Sequence, residues 1–415
     1  MATSQSKVKS VHAFGSDEIT IALVGCGGRG RGAAVNALAN VSMPNVKLVA
    51  LADAFDDPMR ITHDMLKQRH PEKVDIPEER RFSGLDGYKS AIDAADMCLL
   101  CTPPGFRPMQ FEAAVDAGKI IFAEKPVAVD GPGIRRVAAA YEKSKEKGLY
   151  VAVGHHLRHE SKHLIPMGMI HDGAIGDLQF LRIYFNSGGV WTRPRRPEQT
   201  EMQYQVSNWY YFNWLSGDHI VEQHVHDIDV MNWMSGEDHP VEANGMGGRQ
   251  VRVDTEHGEI FDHHSIEFTY ASGLKGFSFC RHMPNTWGSF SEHAHGSKGV
   301  LNIEGHGSSK LTIDGQEPQV WTRDHDGHQI EHDDLFAAIK AGESYNEMGH
   351  GITGTLTAIL GRMATYSGKI VTWDQAMNSQ EDLMPESLEW DAQPKPQPGP
   401  DGMYPCAMPG TTQVL

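Results

Sequence analysis

Apolar runs alternate with amphipathic stretches over the first third of the chain. Residues 19–24 (ITIALV), 46–53 (VKLVALAD), 95–104 (ADMCLLCTPP) and 119–126 (KIIFAEKP) read as buried strands. Helical stretches fall between them, around 57–70 and 106–117. Strand alternating with helix predicts an α/β fold with a parallel, doubly wound Rossmann sheet. From about residue 174 the pattern changes. LQFLRIYFN, VEANGMGGRQVR, SIEFTYASG, LKGFSFCRH, GVLNIEGH and KLTIDG follow one another with Gly-containing turns, predicting an α+β domain with a large, mostly antiparallel open sheet. LQFLRIYF and SIEFTY carry apolar side chains in both phases, so that sheet is expected to be covered on both faces. Residues 350–369 read as one amphipathic helix.

The expected division is an N-terminal arm (1–18), a dinucleotide-binding domain (19–154), an α+β substrate and oligomerisation domain (155–384) and a Pro/Gly-rich C-terminal arm (385–415). The last segment contains QPKPQPGPDGMYPCAMPG, too rich in Pro and Gly for a helix or central strand. It is read as a disordered end or an arm over a neighbouring molecule.

Composition narrows the partners. The 37 Lys+Arg against 54 Asp+Glu give a net charge of −17, which repels phosphate backbones and argues against nucleic acid. No apolar run approaches the roughly 20 residues needed to span a bilayer, so no membrane role is expected. The five cysteines are odd in number and read as free thiols, Cys98 and Cys101 included. The N-terminus has no apolar core of an export signal, which reads as cytoplasmic. SVHAFGSDE nevertheless resembles the region after a removed signal, which would make the protein periplasmic, and the sequence leaves both open.

GCGGRG, directly after the first strand, sets Gly25, Gly27 and Gly30 in the G-x-G-x-x-G spacing at the start of a helix. The first glycine permits the turn, the second lets the backbone approach a pyrophosphate, and the third lets helix and strand pack closely. Asp53 ends the next strand, where a carboxylate accepts hydrogen bonds from ribose hydroxyls and repels a 2′-phosphate. NAD is therefore the expected cofactor. Its expected contacts are Gly25, Gly27, Gly28, Arg29, Gly30, Asp53, Thr102, Pro103, Glu124 and Lys125.

AEKPVAVD (123–130) closes the predicted nucleotide-binding domain. Together with CTPP, VGHHLRH, DGAIGDLQFLRIYF and EQHVHDIDVMNWMSG, it makes the chain resemble the Gfo/Idh/MocA family of glucose-fructose oxidoreductase and inositol dehydrogenases. The resemblance covers nearly the whole chain. It implies that Lys125 hydrogen-bonds substrate and cofactor, that Pro126 shapes the turn, and that a D-x-G-x-H-x-x-D pattern maps onto Glu222, His224, His226 and Asp229. Glu222 replaces the usual Asp, His224 the usual Gly, and Arg107 stands where members often carry His.

The residues support a catalytic set on their own chemistry. Oxidising a carbinol needs a base for the hydroxyl proton, and histidine titrates in the right range. His226 is assigned as acid/base, and Lys125 polarises the oxygen or relays the proton. Glu222, four residues before His226 on an expected helix face, is set to orient it. In an extended strand, Glu222, His224 and His226 with His155 or His156 would instead suit a metal. The expectation here is no metal.

GHHLRH (154–159) lies at the domain crossover, making His156 and Arg158 substrate candidates beside His224. Residues 187–218 interleave Trp191, Tyr204, Trp209, Tyr210, Tyr211, Phe212 and Trp214 with Arg193, Arg195 and Arg196. Aromatic faces stack on sugar rings, so Trp209 and Tyr210 are expected to line a carbohydrate site; the same residue types also make oligomer contacts. The expected function is hydride transfer between NAD and a carbinol of a sugar, polyol or glycoside. The alternative is an NAD-requiring glycosidase that oxidises a ring carbon transiently and forms no net NADH. The expected assembly is a homodimer or homotetramer.

Overall fold

The computed structural model describes residues 18–415 except Glu237; the expected N-terminal arm lies outside the described residues apart from Glu18. The first sheet is built from β1 (Ile19–Val24), β2 (Val46–Asp53), β3 (Arg81–Ser83), β4 (Met97–Leu100), β5 (Ile120–Ala123) and β6 (Val151–Val153). Between them run α1 (Gly28–Ala39), α2 (Asp56–Arg69), α3 (Tyr88–Asp93), α4 (Arg107–Asp116) and α5 (Gly131–Glu146). The strands are parallel in the order β3-β2-β1-β4-β5-β6. Strands β1, β4 and β5 are almost wholly buried because helices cover both faces, which is why they read as unbroken apolar runs. The order reverses between β1 and β4, and a crevice opens there beyond the strands' carboxyl ends.

The second region adds α6 (Ser161–His171), β7 (Leu178–Ser187), α7 (Glu201–Ser207), α8 (Asn213–Ser216), α9 (His219–Glu222) and α10 (Val225–Met234). Then come β8 (Pro240–Gly248), β9 (His263–Tyr270), β10 (Lys275–His282), β11 (Ser289–Gly296), β12 (Gly299–Glu304), β13 (Ser308–Ile313) and β14 (Gln319–Thr322). The chain ends its regular structure with α11 (Gly327–Ala341), α12 (Met348–Ser367), β15 (Val371–Thr372) and α13 (Trp373–Asn378). Nine strands form one sheet, β14-β13-β12-β11-β7-β10-β9-β8-β15, antiparallel except for β7 with β10. Helices α6, α10 and α12 pack on one face.

The expectation that both β7 and β9 are apolar in both phases is corrected for β9. Ile266, Phe268 and Tyr270 all turn inward with His264, leaving Ser265, Glu267 and Thr269 outside. Apolar rings reach the open face from β7 and β10, where Phe180 meets Phe277 (6.2 Å) and Tyr184 stacks on Phe279 (5.2 Å).

Two long-range features depart from the linear reading. Helix α11 follows the second sheet in sequence, yet its Leu335, Phe336 and Ile339 pack with Ile19, Leu23 and Phe122 in the core of the first. The C-terminal arm is ordered and packs against its own chain. Trp390 stacks on Phe55 at 5.4 Å, and Tyr404, 4% exposed, donates its hydroxyl to Glu201 (2.5 Å). Gln205 of α7 donates to the Pro396 carbonyl (2.7 Å). Proline and glycine prevent helix here, but side-chain packing and scattered bonds to the body suffice to order the segment. No helix among the described residues is long and apolar enough to cross a membrane.

Candidate active site

A cleft of about 1200 Å³ runs along the switch point between β1 and β4, bounded by the glycine turn, Asp53, Thr102 and Pro103 on one side. Opposite are Trp191, Trp209, Tyr210, Glu222 and Gln223. Gly25 has φ 94°, and a side chain there would drive into the backbone of Cys101 and Thr102 at 2.6 Å. A Cβ on Gly30 would meet the Gly25 carbonyl oxygen at 1.9 Å. At Gly27 and Gly28 a Cβ would meet nothing within 4 Å, so glycine is not required there by the protein's own packing. Helix α1 starts with no side-chain cap and no acidic residue in its first turn, leaving its N–H groups and dipole for an anion. Asp53 accepts N–H bonds from Cys26 (2.7 Å) and Phe55 (3.0 Å), which brace the turn, and burial pushes its carboxyl above the usual range.

Two predicted cofactor residues pair with each other: Arg29 Nε lies 2.6 Å from Glu124 Oε1, and Glu124 is 5% exposed. That pair ties the glycine turn to the segment bearing Lys125. Arg107, fully buried, completes the scaffold by donating to the carbonyls of Glu124 (2.9 Å) and Thr102 (2.7 Å). Burial lowers its pKa to about 10.

Lys125 follows β5, and its peptide to Pro126 is cis. Its ammonium donates to the Glu222 carbonyl (2.5 Å) and lies 3.4 Å from Glu222 Oε1. The expectation that Glu222 orients His226 is therefore corrected. The helix breaks at Gln223 and His224, between α9 and α10, so the two residues do not share one helical face. The carboxylate turns to Lys125. His226 instead stands among histidines, its ring centroid 4.8 Å from that of His156 and 6.5 Å from that of His155. Burial first, and the charge of Lys125 second, push His226 well below the ordinary histidine range, so it is a neutral imidazole at pH 7. His156 is lowered to about 4, mainly by burial, and stacks on His328 at 3.9 Å.

Two expected substrate contacts are corrected. His224 is fully buried beneath the sheet, with Nε2 2.8 Å from Ser278 Oγ and Nδ1 3.2 Å from Asp227. Arg158 is committed to Asp229, with Nε–Oδ2 2.7 Å and Nη2–Oδ1 3.1 Å, and its guanidinium lies over the Trp233 ring. Both sit where an unpaired charge or donor would be costly, so a neighbouring acceptor claims them. With His224 turned to Ser278, the metal set of Glu222, His224 and His226 does not converge. Of the aromatic segment, Trp191 and Trp209 reach the cleft, Tyr210 borders it while buried in the core, and Tyr204, Tyr211, Phe212 and Trp214 are core. Gln110 and Gln223 also line it, and glutamine carries no spacing signature that would have pointed to them.

Residues 168–302 match the model of the GFO/IDH/MocA C-terminal domain. Inositol 2-dehydrogenase of Rhizobium meliloti (strain 1021) is 25% identical over 280 residues, covering 67% of this chain and 74% of that protein. An uncharacterized oxidoreductase of Streptococcus pneumoniae is 26% identical over 290 residues, 67% of this chain and 70% of its own. Among solved structures, levoglucosan dehydrogenase in complex with NADH and levoglucosan superposes with a TM-score of 0.68 at 17% identity, over 86% of this chain and 100% of that one. Aldose-aldose oxidoreductase from Caulobacter crescentus gives 0.67 at 18% identity, over 86% and 99%. The structures share the fold, and with the sequence relatives and the matched segment they lead to one conclusion: residues 168–302 form a domain of the GFO/IDH/MocA C-terminal type, in a chain similar to oxidoreductases that act on polyols and sugars.

Proposed function

We propose that the protein is an NAD-dependent oxidoreductase acting on a carbinol of a sugar, polyol or glycoside. The observation that carries this reading is the contact of Lys125 with Glu222, a residue lining the cleft opposite the glycine turn and Asp53, which have the features of a dinucleotide site. The nicotinamide, when bound, supplies the hydride acceptor or donor. Lys125 spends two donors on Glu222 and has a third for the substrate oxygen, whose negative charge it stabilises as the proton leaves. His226, held neutral, takes that proton. Glu222 positions Lys125, and Trp209 offers a ring face to the substrate. The relatives named for inositol and levoglucosan, both polyhydroxylated rings, support the substrate class.

A panel of sugars and polyols, read by nicotinamide absorbance, tests this, with an aryl glycoside in parallel. Net NADH formation without glycoside cleavage is expected. Cleavage without net NADH would replace this reading with the redox glycosidase, for which Glu222 on the cleft wall would be the second acid/base group.

Asp53→Ala should weaken NAD binding by roughly 10–100-fold, the scale of lost charged hydrogen bonds, and should narrow the preference over NADP. Asp56 and Asp57 at the start of α2 add to the repulsion of a 2′-phosphate. Wild-type isotherms favouring NADP would overturn the assignment of Asp53.

The open face of the large sheet supports a homo-oligomer, a dimer or a dimer of dimers packed sheet against sheet. Its rings Phe180, Tyr184, Phe277 and Phe279 continue into Trp287, 61% exposed and 5.3 Å from Tyr184. Light scattering should give at least twice the chain mass of 45.9 kDa. A monomer at micromolar protein would refute it.

A further inference from the structure

Behind the cleft wall, on the short helix that ends in Glu222, Asp218 and His219 meet His264 of β9. All three are buried, and one ligand-type atom from each lies within 4.8 Å of the others. Three observations separate this cluster from an ordinary hydrogen-bonded hub.

The backbone comes first. Asp218 has φ 75° and ψ 162°, a region that glycine enters readily and other residues only under strain. Such strain persists where the surroundings impose it. The carboxylate is thus held in place against the preference of its own backbone.

The second observation is a tautomer. Thr365 Oγ1 donates its one hydrogen to a backbone carbonyl, Arg362 at 2.9 Å or Gly361 at 3.2 Å. It therefore accepts from His264 Nδ1–H at 2.9 Å. A neutral His264 then presents the lone pair of Nε2 to Asp218 Oδ2 at 3.4 Å. That oxygen already accepts from Phe261 N–H (3.0 Å) and the Tyr366 hydroxyl (2.6 Å). In that tautomer two lone pairs face each other in a dry interior, an arrangement that a cation between them relieves.

The third observation is the number of orphaned atoms. Nε2 of His219 has no hydrogen-bond partner, and neither do His282 Nδ1 or the Tyr210 hydroxyl beside it. His282 stacks on His219 at 4.5 Å, and Tyr210 on His282 at 5.7 Å.

We propose that Asp218, His219 and His264 bind a divalent transition metal of the zinc class, through the Asp218 carboxylate, one ring nitrogen of His219 and Nε2 of His264. Two imidazoles and a carboxylate are a donor set that suits zinc. Ligand atoms on a tetrahedral zinc stand roughly 3.3 Å apart. The 3.4 Å between Asp218 Oδ2 and His264 Nε2 fits that spacing, while His219 Nδ1 lies 2.7 Å from the other oxygen, Oδ1, so the two histidines meet the two oxygens of one carboxylate. Thr365 fixes the His264 ring and Tyr366 the carboxylate, the outer support that metal ligands need. The ion would pin α9, and through Glu222 it would position Lys125.

Elemental analysis of untagged protein tests this, followed by cobalt(II) titration of chelator-stripped protein read by visible d–d absorption. About one metal per chain is expected. Thr365→Val, which removes only the outer support, should weaken cobalt binding 10–100-fold, and His264→Gln should abolish it. Stripped protein that takes up no cobalt, with His264 doubly protonated by 15N NMR, overturns the proposal. Equal cobalt affinity in wild type and Thr365→Val also overturns it. None of these readings depends on turnover, so they stand apart from the oxidoreductase assay.

Discussion

Lys125→Ala and His226→Ala should each lower turnover by roughly 10²–10⁴-fold, the range of positioned acid–base catalysis, while NAD binding persists. The two variants fail for different reasons. Lys125→Ala removes the cation at the substrate oxygen and leaves Glu222 without its partner at 3.4 Å. His226→Ala removes the proton acceptor and leaves Lys125 in place. Their pH profiles distinguish them. The pKa of His226 is depressed by burial and by Lys125, so its active basic form predominates above that lowered value. In wild type, kcat/KM for oxidation should therefore hold level through neutrality and fall only in acid, below the ordinary histidine pKa of about 6.5. In His226→Ala that acid limb should vanish. Near-wild-type turnover of His226→Ala on the true substrate would reduce this histidine to a packing role.

The largest stability effect is expected at Trp214. The side chain is 1% exposed, lies edge-on to Phe106 with centroids 5.8 Å apart, and donates Nε1–H to Gln205 Oε1 at 2.7 Å. Phe106 belongs to the nucleotide-binding side and Gln205 to α7, so one ring joins the two walls of the cleft. Gln205 in turn holds Pro396 of the C-terminal arm. Trp214→Ala should cost about 3–5 kcal/mol, as truncations of buried aromatic residues do. Urea unfolding should show it as a lower midpoint at an unchanged slope. Trp191→Ala is the control: that ring is 41% exposed and its loss should change stability by no more than about 0.5 kcal/mol. Equal effects at the two positions would contradict the assignment of Trp214 to the core.

The sequence alone determined the features that repeat along the backbone. Buried parallel strands must be apolar on both faces, so ITIALV and CLLC announced themselves, and with them the place of GCGGRG and Asp53. The lysine after β5 was legible because its motif is contiguous. Tertiary structure decided what depends on residues distant in the chain. Spacing of four placed Glu222 and His226 on one imagined face, but the helix breaks at Gln223 and His224, and each side chain found a different partner. His224 and Arg158 looked like site residues by type and position, yet Ser278, Asp227 and Asp229 claimed them, because a buried polar group must be paired wherever a partner lies. The same non-local burial returned α11 to the first core and drew the C-terminal arm over Phe55 and Phe212. It also set His264 of β9 beside Asp218, a meeting that no local pattern records. Periodicity reports which face of an element is buried; only the packed chain decides what it is buried against.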